Sequence, residues 1–103
     1  MSKIVALAKE QIENIIYSAA KSAMAEGVFP EAELGAFKIE TPSNRDHGDY
    51  AVNAAMVWSR LFRKAPRQIA EALMSSADFS DTYIEKYEIA GPGFINFYLS
   101  QKY

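Results

Sequence analysis

A turn of glycine, proline and glycine at residues 91–93, followed by a strand-like run, constrains the fold of this chain most. Proline cannot donate a hydrogen bond to a sheet, so the second strand is predicted to begin near Phe94. The run 83–90 before the turn is also typical of a strand. The two runs therefore predict a β-hairpin in which the turn joins neighbouring antiparallel strands.

Successive side chains of a strand point to opposite faces of a sheet, which divides the run after the turn into two sets. One set is wholly apolar and predicts a core face: Ile95, Phe97 and Leu99. The other set carries two aromatic rings around an amide: Phe94, Asn96 and Tyr98. Aromatic planes stack nucleobases, and an amide can both donate to and accept from a base edge. A second buried face, or an ordinary edge strand, is the alternative interpretation.

Length and composition exclude several classes of protein. The 103 residues are enough for one domain with one core. The absence of cysteine excludes disulfides and thiolate metal sites, and the single histidine excludes a histidine metal cluster. No apolar run approaches the roughly 18 residues of a membrane span, so we expect a cytoplasmic protein with no membrane partner. The net charge of −2 means that nucleic acid would have to bind a local basic patch.

Two helices are predicted with clear boundaries. Residues 3–25 have an apolar stripe at three- and four-residue spacing, with Gly27 as the stop signal. The stripe consists of Ile4, Ala8, Ile12, Ile15, Ile16, Ala19, Ala23 and Met24. We expect it to pack on the domain's own sheet, although a surface for a partner helix is the alternative. Pro66 suits the first turn of a second helix over residues 66–76.

The middle of the chain predicts one short strand and a further helix. Residues 37–40 alternate apolar and charged side chains and are bounded by Gly35 and Pro42. They predict the strand, with Phe37 and Ile39 pointing inward. Residues 50–63 are predicted to be helical, and a short extra strand within 41–50 is left open. The order of elements predicts an α+β fold with two layers, in which helices pack on one face of a small, mainly antiparallel sheet. Such a fold leaves the other sheet face open, with Phe94, Asn96 and Tyr98 on it.

Two groups of polar residues are further candidates for a site. A basic cluster surrounds the break before residue 66 and could hold phosphates or form a solvated helix junction: Arg60, Arg63, Lys64 and Arg67. His47 and Asp49 could act as a base and its orienting group. No nucleophile or oxyanion site accompanies them, so we predict that Asp49 or a neighbour caps the following helix instead. No catalytic or metal-binding residues are predicted.

Three segments in this order resemble the N-terminal additional domain of arginyl-tRNA synthetase: HGDYAVNAAM at 47–56, PRQIAE at 66–71 and AGPGFINF at 90–97. The resemblance covers essentially the whole chain. It implies a single domain, residues 1–103, that docks on the outer corner of tRNA(Arg) and contacts the D-loop. By the same resemblance, Phe94 stacks on a D-loop base and Asn96 reads its edge, while Tyr98 contacts the backbone or packs. The strand's end, including Gln101, extends this contact.

The resemblance also separates this chain from the family's chemistry. Neither class I catalytic signature, HxGH or KMSKS, is present. The resemblance therefore implies a non-catalytic fragment that lacks the catalytic and anticodon-binding domains and supports arginine–tRNA ligation by the former. No cofactor is expected on this fragment, since ATP, arginine and magnesium would bind the catalytic domain. Two alternatives remain: a structural spacer docked on its own catalytic domain, and an independent small enzyme that uses His47 and Asp49.

Overall fold

Four helices and four strands form an α+β domain within residues 3–42, 48–80 and 82–99, which the computed structural model describes. The helices are α1 (Lys3–Ala25), α2 (Ala54–Val57), α3 (Ser59–Phe62) and α4 (Pro66–Ser76). The strands are β1 (Ile39–Glu40), β2 (Tyr50–Val52), β3 (Ile84–Ala90) and β4 (Phe94–Leu99). The predicted fold class is confirmed.

Helix α1 follows its predicted apolar stripe. All members of the stripe whose side chains are described lie in the core or pack against it; Ile4 falls outside that set. The helix ends in a Schellman motif, in which the N–H of Gly27 donates to Met24 and that of Val28 donates to Ala23. Gly27 has φ +79°, the left-handed conformation that this motif requires. Helix α1 packs mainly against α4, which itself lies on the sheet.

The prediction of one helix over residues 50–63 is wrong. Residues Tyr50–Val52 form β2, and the rest divides into the short helices α2 and α3, which meet at Trp58. Tyr50 and Val52 point into the core, and β2 fills the sheet between β1 and β4. The chain then turns at Asn53, whose Oδ1 holds the turn by accepting the backbone N–H of Lys38 at 2.8 Å. The pairing of β2 with β1 and β4 therefore outweighs the helical pattern of the sequence in this segment.

The sheet has the order β1-β2-β4-β3, and every neighbouring pair is antiparallel. The predicted hairpin is confirmed: β3 and β4 pair directly, with Ala90 opposite Phe94. The N–H of Gly93 closes the turn on the carbonyl of Ala90 at 3.2 Å. The register shifts between Ile84 and Lys86, which makes Glu85 the extra residue of a β-bulge.

Helices α2 and α4 cover the face of the sheet that carries Ile95, Phe97 and Leu99. These three side chains are buried, as the alternation predicts. At one end of the core, Trp58 contacts the rings of Tyr17, Phe37 and Phe62. Its Nε1 donates to the carbonyl oxygen of Gly35 at 3.0 Å. Among the described residues, the helices thus occupy one face of the sheet, and the alternate residues of β4 lie on the opposite face.

Candidate nucleic-acid interface

The face of the sheet opposite the helices carries the alternate residues of β4. Phe94 and Tyr98 are half-buried there, but Asn96 is only 4 % exposed. The expectation of an amide open to solvent is therefore wrong for Asn96. We call this surface the open face.

Asn96 is covered by backbone and side chains on several sides. It lies between β2 and β3, with Phe94 and Tyr98 two residues away on its own strand. Gly48 approaches from the segment before β2: a Cβ on this glycine would lie 3.5 Å from the Cβ of Asn96. The amide is therefore held within a crowded part of the sheet, where a partner could reach only a small part of it.

The neighbouring strands place charged residues beside β4. Glu88 lies directly opposite Asn96, and Lys86 lies opposite Tyr98. On the other side, Ala51 separates Asn96 from Glu40 of the edge strand β1. Both glutamates are exposed. The described row of residues through Asn96 is therefore acidic, which disfavours phosphate groups there.

Tyr98 is already engaged within the domain. The Nζ of Lys86 lies 4.5 Å from the centroid of the Tyr98 ring, a cation–π contact. A base that stacked on this side of the ring would have to displace the lysine. The geometry thus favours a packing role for Tyr98 and leaves Phe94 as the better stacking surface.

The hairpin turn connects Phe94 with the start of α4. Arg67 Nη1 donates to the carbonyl oxygen of Gly91 at 2.9 Å. The ring of Phe94 lies beside the same glycine, 3.9 Å from the position of an added Cβ. On the other side of the turn, a Cβ on Gly93 would lie 2.7 Å from the Cβ of Pro66. The close contact between turn and helix thus places the Arg67 guanidinium at the turn that precedes Phe94.

The other cations of the basic cluster lie at the junction between α3 and α4. Arg60, Arg63 and Lys64 are all exposed, as is Arg67. Arg63 ends α3 in the left-handed conformation, with φ 54°. Of the four cations, Arg67 is the one that a hydrogen bond ties to the turn before Phe94. Gln101, the remaining candidate for the site, lies outside the described residues.

Asp49 does not cap a helix. Its Oδ2 accepts the backbone N–H of Leu99 at 2.9 Å, and its own N–H donates to the carbonyl of Phe97 at 2.8 Å. Asn53 precedes α2 and makes no side-chain cap bond. The capping prediction is therefore wrong, because Asp49 extends the pairing of β2 with β4 instead. His47, the other member of the candidate pair of base and orienting group, lies outside the described residues.

Other kinds of site find little support in the part of the chain that the structure describes. No three side chains of His, Cys, Asp or Glu come together there as a metal site. None of its helices is both long and apolar enough to cross a membrane.

The pKa of Asp78 is lowered by hydrogen bonds from the side chain and backbone of Ser80, in the connector between α4 and β3.

Comparison with known families identifies the domain. The model of the arginyl-tRNA synthetase N-terminal domain matches residues 8–99. This chain belongs to that family. The arginyl-tRNA synthetase N-terminal domain is thus the framework that carries the open face, the hairpin turn and the basic cluster.

Relatives of this arginyl-tRNA synthetase domain are much longer proteins. The arginine–tRNA ligase of Caldanaerobacter subterraneus subsp. tengcongensis is 44 % identical over 103 residues, which is 100 % of this chain and 18 % of the relative. That of Bacillus subtilis is 42 % identical over 95 residues, 91 % of this chain and 17 % of the relative. The chain therefore spans less than a fifth of these relatives.

A solved structure shares the fold. The arginyl-tRNA synthetase of Plasmodium falciparum superposes with a TM-score of 0.63 at 21 % identity, over 88 % of this chain and 16 % of that chain. Because the identity is low, this likeness concerns the fold of the domain.

Sequence reasoning missed the contribution of β3 and Gly48 to the open face. The signal for β3 was present, because a three-residue turn that pairs Ala90 with Phe94 also places Glu88 opposite Asn96 and Lys86 opposite Tyr98. No comparable signal existed for Gly48, which comes from a segment almost fifty residues before β4.

Proposed function

We propose that this domain is a tRNA-binding module of an arginyl-tRNA synthetase and that it contacts the D-loop at the outer corner of tRNA(Arg). In this role it supports arginine–tRNA ligation by a class I catalytic domain, which would bind ATP, arginine and magnesium. The observation that carries the proposal is that Arg67 hydrogen-bonds the carbonyl of Gly91 while the ring of Phe94 lies beside the same glycine. One turn thereby joins a phosphate-binding group to an aromatic surface for an unpaired base.

Each part of the surface has a distinct role in the proposal. Phe94 stacks on an unpaired D-loop base, and Asn96 hydrogen-bonds the edge of that base through the part of its amide that stays accessible. The phosphates follow the basic cluster past the turn, since the centre of the open face carries Glu40 and Glu88. Arg67 lies nearest the stacked base. Phosphate contacts position the RNA, and base contacts make the choice among RNAs.

A second candidate function is a structural spacer that docks on its own catalytic domain. The exposure of two apolar side chains next to the basic cluster favours it: Val57 is 44 % exposed and Leu61 is 37 % exposed. The burial of Asn96 is also compatible with a mainly structural role. In this case the RNA would touch the domain little, and the synthetase would lose stability rather than tRNA affinity when the surface is changed.

The test measures binding of labelled tRNA(Arg) to the chain and to two matched variants. Phe94→Ala should weaken binding roughly tenfold, because stacking one base on an aromatic ring contributes about 1–3 kcal/mol. Phe79→Ala is the control. Phe79 is also half-buried, but its ring stacks on Tyr87 at 5.8 Å and packs against the core.

The control should lower the melting temperature and leave the affinity for tRNA unchanged while the domain is folded. If Phe94→Ala binds tRNA(Arg) as tightly as the wild type does, the D-loop proposal fails. Replacing Val57 and Leu61 by serine then tests the spacer function in the full-length synthetase. A lower melting temperature there, with unchanged tRNA affinity, would support that function.

A further inference from the structure

Glu88 occupies a position on the open face that neither the sequence motifs nor the proposed contacts include. It pairs directly with Asn96 across β3 and β4, and directly opposed side chains on one face have Cβ atoms about 4.5–5.5 Å apart. Asn96 is only 4 % exposed, whereas Glu88 is exposed. A molecule that approaches Asn96 over the sheet therefore meets the carboxylate of Glu88 beside it.

The charges around this pair determine what can bind there. Glu40 lies in the same row beyond Ala51. Lys86 is the lysine of β3, and its Nζ lies over the ring of Tyr98. A phosphate would be repelled by the two carboxylates. A carboxylate accepts hydrogen bonds and donates none, so the favoured group is a neutral one that presents N–H. The exocyclic amino group of a nucleobase meets this requirement.

The distances across the sheet suit a single base. Phe94 lies two residues before Asn96 on β4 and is thus the diagonal neighbour of Glu88, at about 7–8 Å. A base stacked on Phe94 and lying along β4 can bring one edge to the pair formed by Asn96 and Glu88. The amide and the carboxylate then face the same edge.

We propose that Glu88 is a specificity-determining residue, whose carboxylate accepts a hydrogen bond from the amino group of the base stacked on Phe94. This inference rests on the proposed function and deepens it. The site accordingly prefers adenine, cytosine or guanine to uracil. Uracil also has a neutral N–H, at N3, but a carbonyl oxygen lies on each side of it, and the carboxylate would repel both oxygens.

The experiment uses tRNA(Arg) transcripts in which one unpaired D-loop base is adenine, cytosine, guanine or uracil in turn. The position used is the one at which replacement most affects wild-type affinity. The wild type should bind the uracil transcript roughly tenfold more weakly than the best of the others, the scale of one good base-edge contact. Glu88→Gln should narrow this ratio to about twofold, because glutamine can donate to a uracil carbonyl as well as accept.

Glu85→Gln is the matched control. It removes the same charge from the same strand, and Glu85 is also exposed, but it is the bulge residue and has no partner in β4. If only net charge matters, the two variants should strengthen binding to all four transcripts equally. If the inference is correct, Glu85→Gln keeps the wild-type ratio between transcripts and Glu88→Gln does not.

Two results would overturn the inference, and only the second would also overturn the proposed function. If Phe94→Ala weakens binding but Glu88→Gln keeps the wild-type ratio, Glu88 does not read the base and the proposed function stands. If Phe94→Ala changes no affinity, the proposed function and the inference both fail. Thermal unfolding of each variant confirms that the compared proteins are folded.

Discussion

Asp49 and Leu99 are joined by a hydrogen bond in which the carboxylate Oδ2 accepts the backbone N–H at 2.9 Å. Together with the bond from the Asp49 N–H to the carbonyl of Phe97, it fixes the last residues of β4 to the segment that enters β2. The strand that carries Phe94, Asn96 and Tyr98 is therefore held at its far end by a side chain and at its near end by the hairpin turn.

Asp49→Ala should destabilise the domain by about 1–2 kcal/mol, because Leu99 loses a charged acceptor for its N–H. For a domain of this size we expect the melting temperature to fall by roughly 5–15 °C. Asp49→Asn is the control, since the asparagine oxygen can still accept the bond, and it should lose less stability. An unchanged melting curve for Asp49→Ala together with lost tRNA binding would place Asp49 in the interface instead.

Gly48→Ala should be more destabilising than Gly27→Ala. Both glycines have positive φ, +90° and +79°, so alanine is strained at either position, by roughly 1–2 kcal/mol. At Gly48 the new Cβ would also lie 2.8 Å from the carbonyl oxygen of Phe97, whereas at Gly27 nothing lies within 4 Å. Urea unfolding of the two variants measures the additional cost of that contact. Equal losses would show that the segment before β2 can move away from β4.

Arg63→Gly should change stability and tRNA binding in opposite directions. Arg63 has φ 54°, which glycine adopts without strain, so the variant should gain roughly 0.5–1 kcal/mol in stability. It also loses one cation of the basic cluster. We expect weaker binding to matched and mismatched tRNAs alike, with a flatter dependence on salt. Lys64→Ala, which removes a neighbouring charge, should reproduce the binding effect without the gain in stability.

If tRNA binding at low salt is unchanged in both variants, the cluster is a solvated helix junction rather than a phosphate site. A loss confined to one tRNA sequence would also contradict the prediction, because phosphate contacts carry no sequence information directly.

In a full-length arginyl-tRNA synthetase that contains this domain, Phe94→Ala and Asn96→Ala should raise KM for tRNA and leave amino-acid activation unchanged. Their effects should not add, since both residues act on one base. Ile95→Ala is the control: its side chain is fully buried in the core, and its loss should cost about 2–5 kcal/mol of stability. Steady-state kinetics with tRNA and pyrophosphate exchange separate these outcomes. A change in activation in Phe94→Ala would contradict the prediction.

Local signals made several elements predictable from the sequence. Helix α4 begins at Pro66 and ends at Ser76 as predicted, because proline at the first helical position and the apolar spacing lie within the segment itself. The hairpin follows equally from its turn and the two runs beside it. In these cases the residues that determine the structure are neighbours in the chain.

The missed features depend on contacts between distant segments. Three residues, Tyr50–Val52, are too few to show a strand pattern, and their partners in β4 lie about 45 residues later. The approach of Gly48 to Asn96 likewise joins segments that are far apart in the sequence. The alternation along β4 correctly separates its two faces, but it carries no information on what packs over Asn96. The D-loop contacts of Phe94 and Asn96 are accordingly predictions from the family resemblance, whereas the basic cluster is predicted from its charge pattern.

Trp58 gives the domain a built-in optical reporter of its folded state. It is the single tryptophan of the chain, it is 1 % exposed, and it lies among aromatic rings from α1, α3 and the segment before β1. Its fluorescence should shift to longer wavelength when the core opens. Because the ring is buried among these aromatic side chains, tRNA bound at the open face and the basic cluster should leave its emission wavelength unchanged. For a variant that no longer binds RNA, one spectrum can thus show whether the variant has also lost its fold.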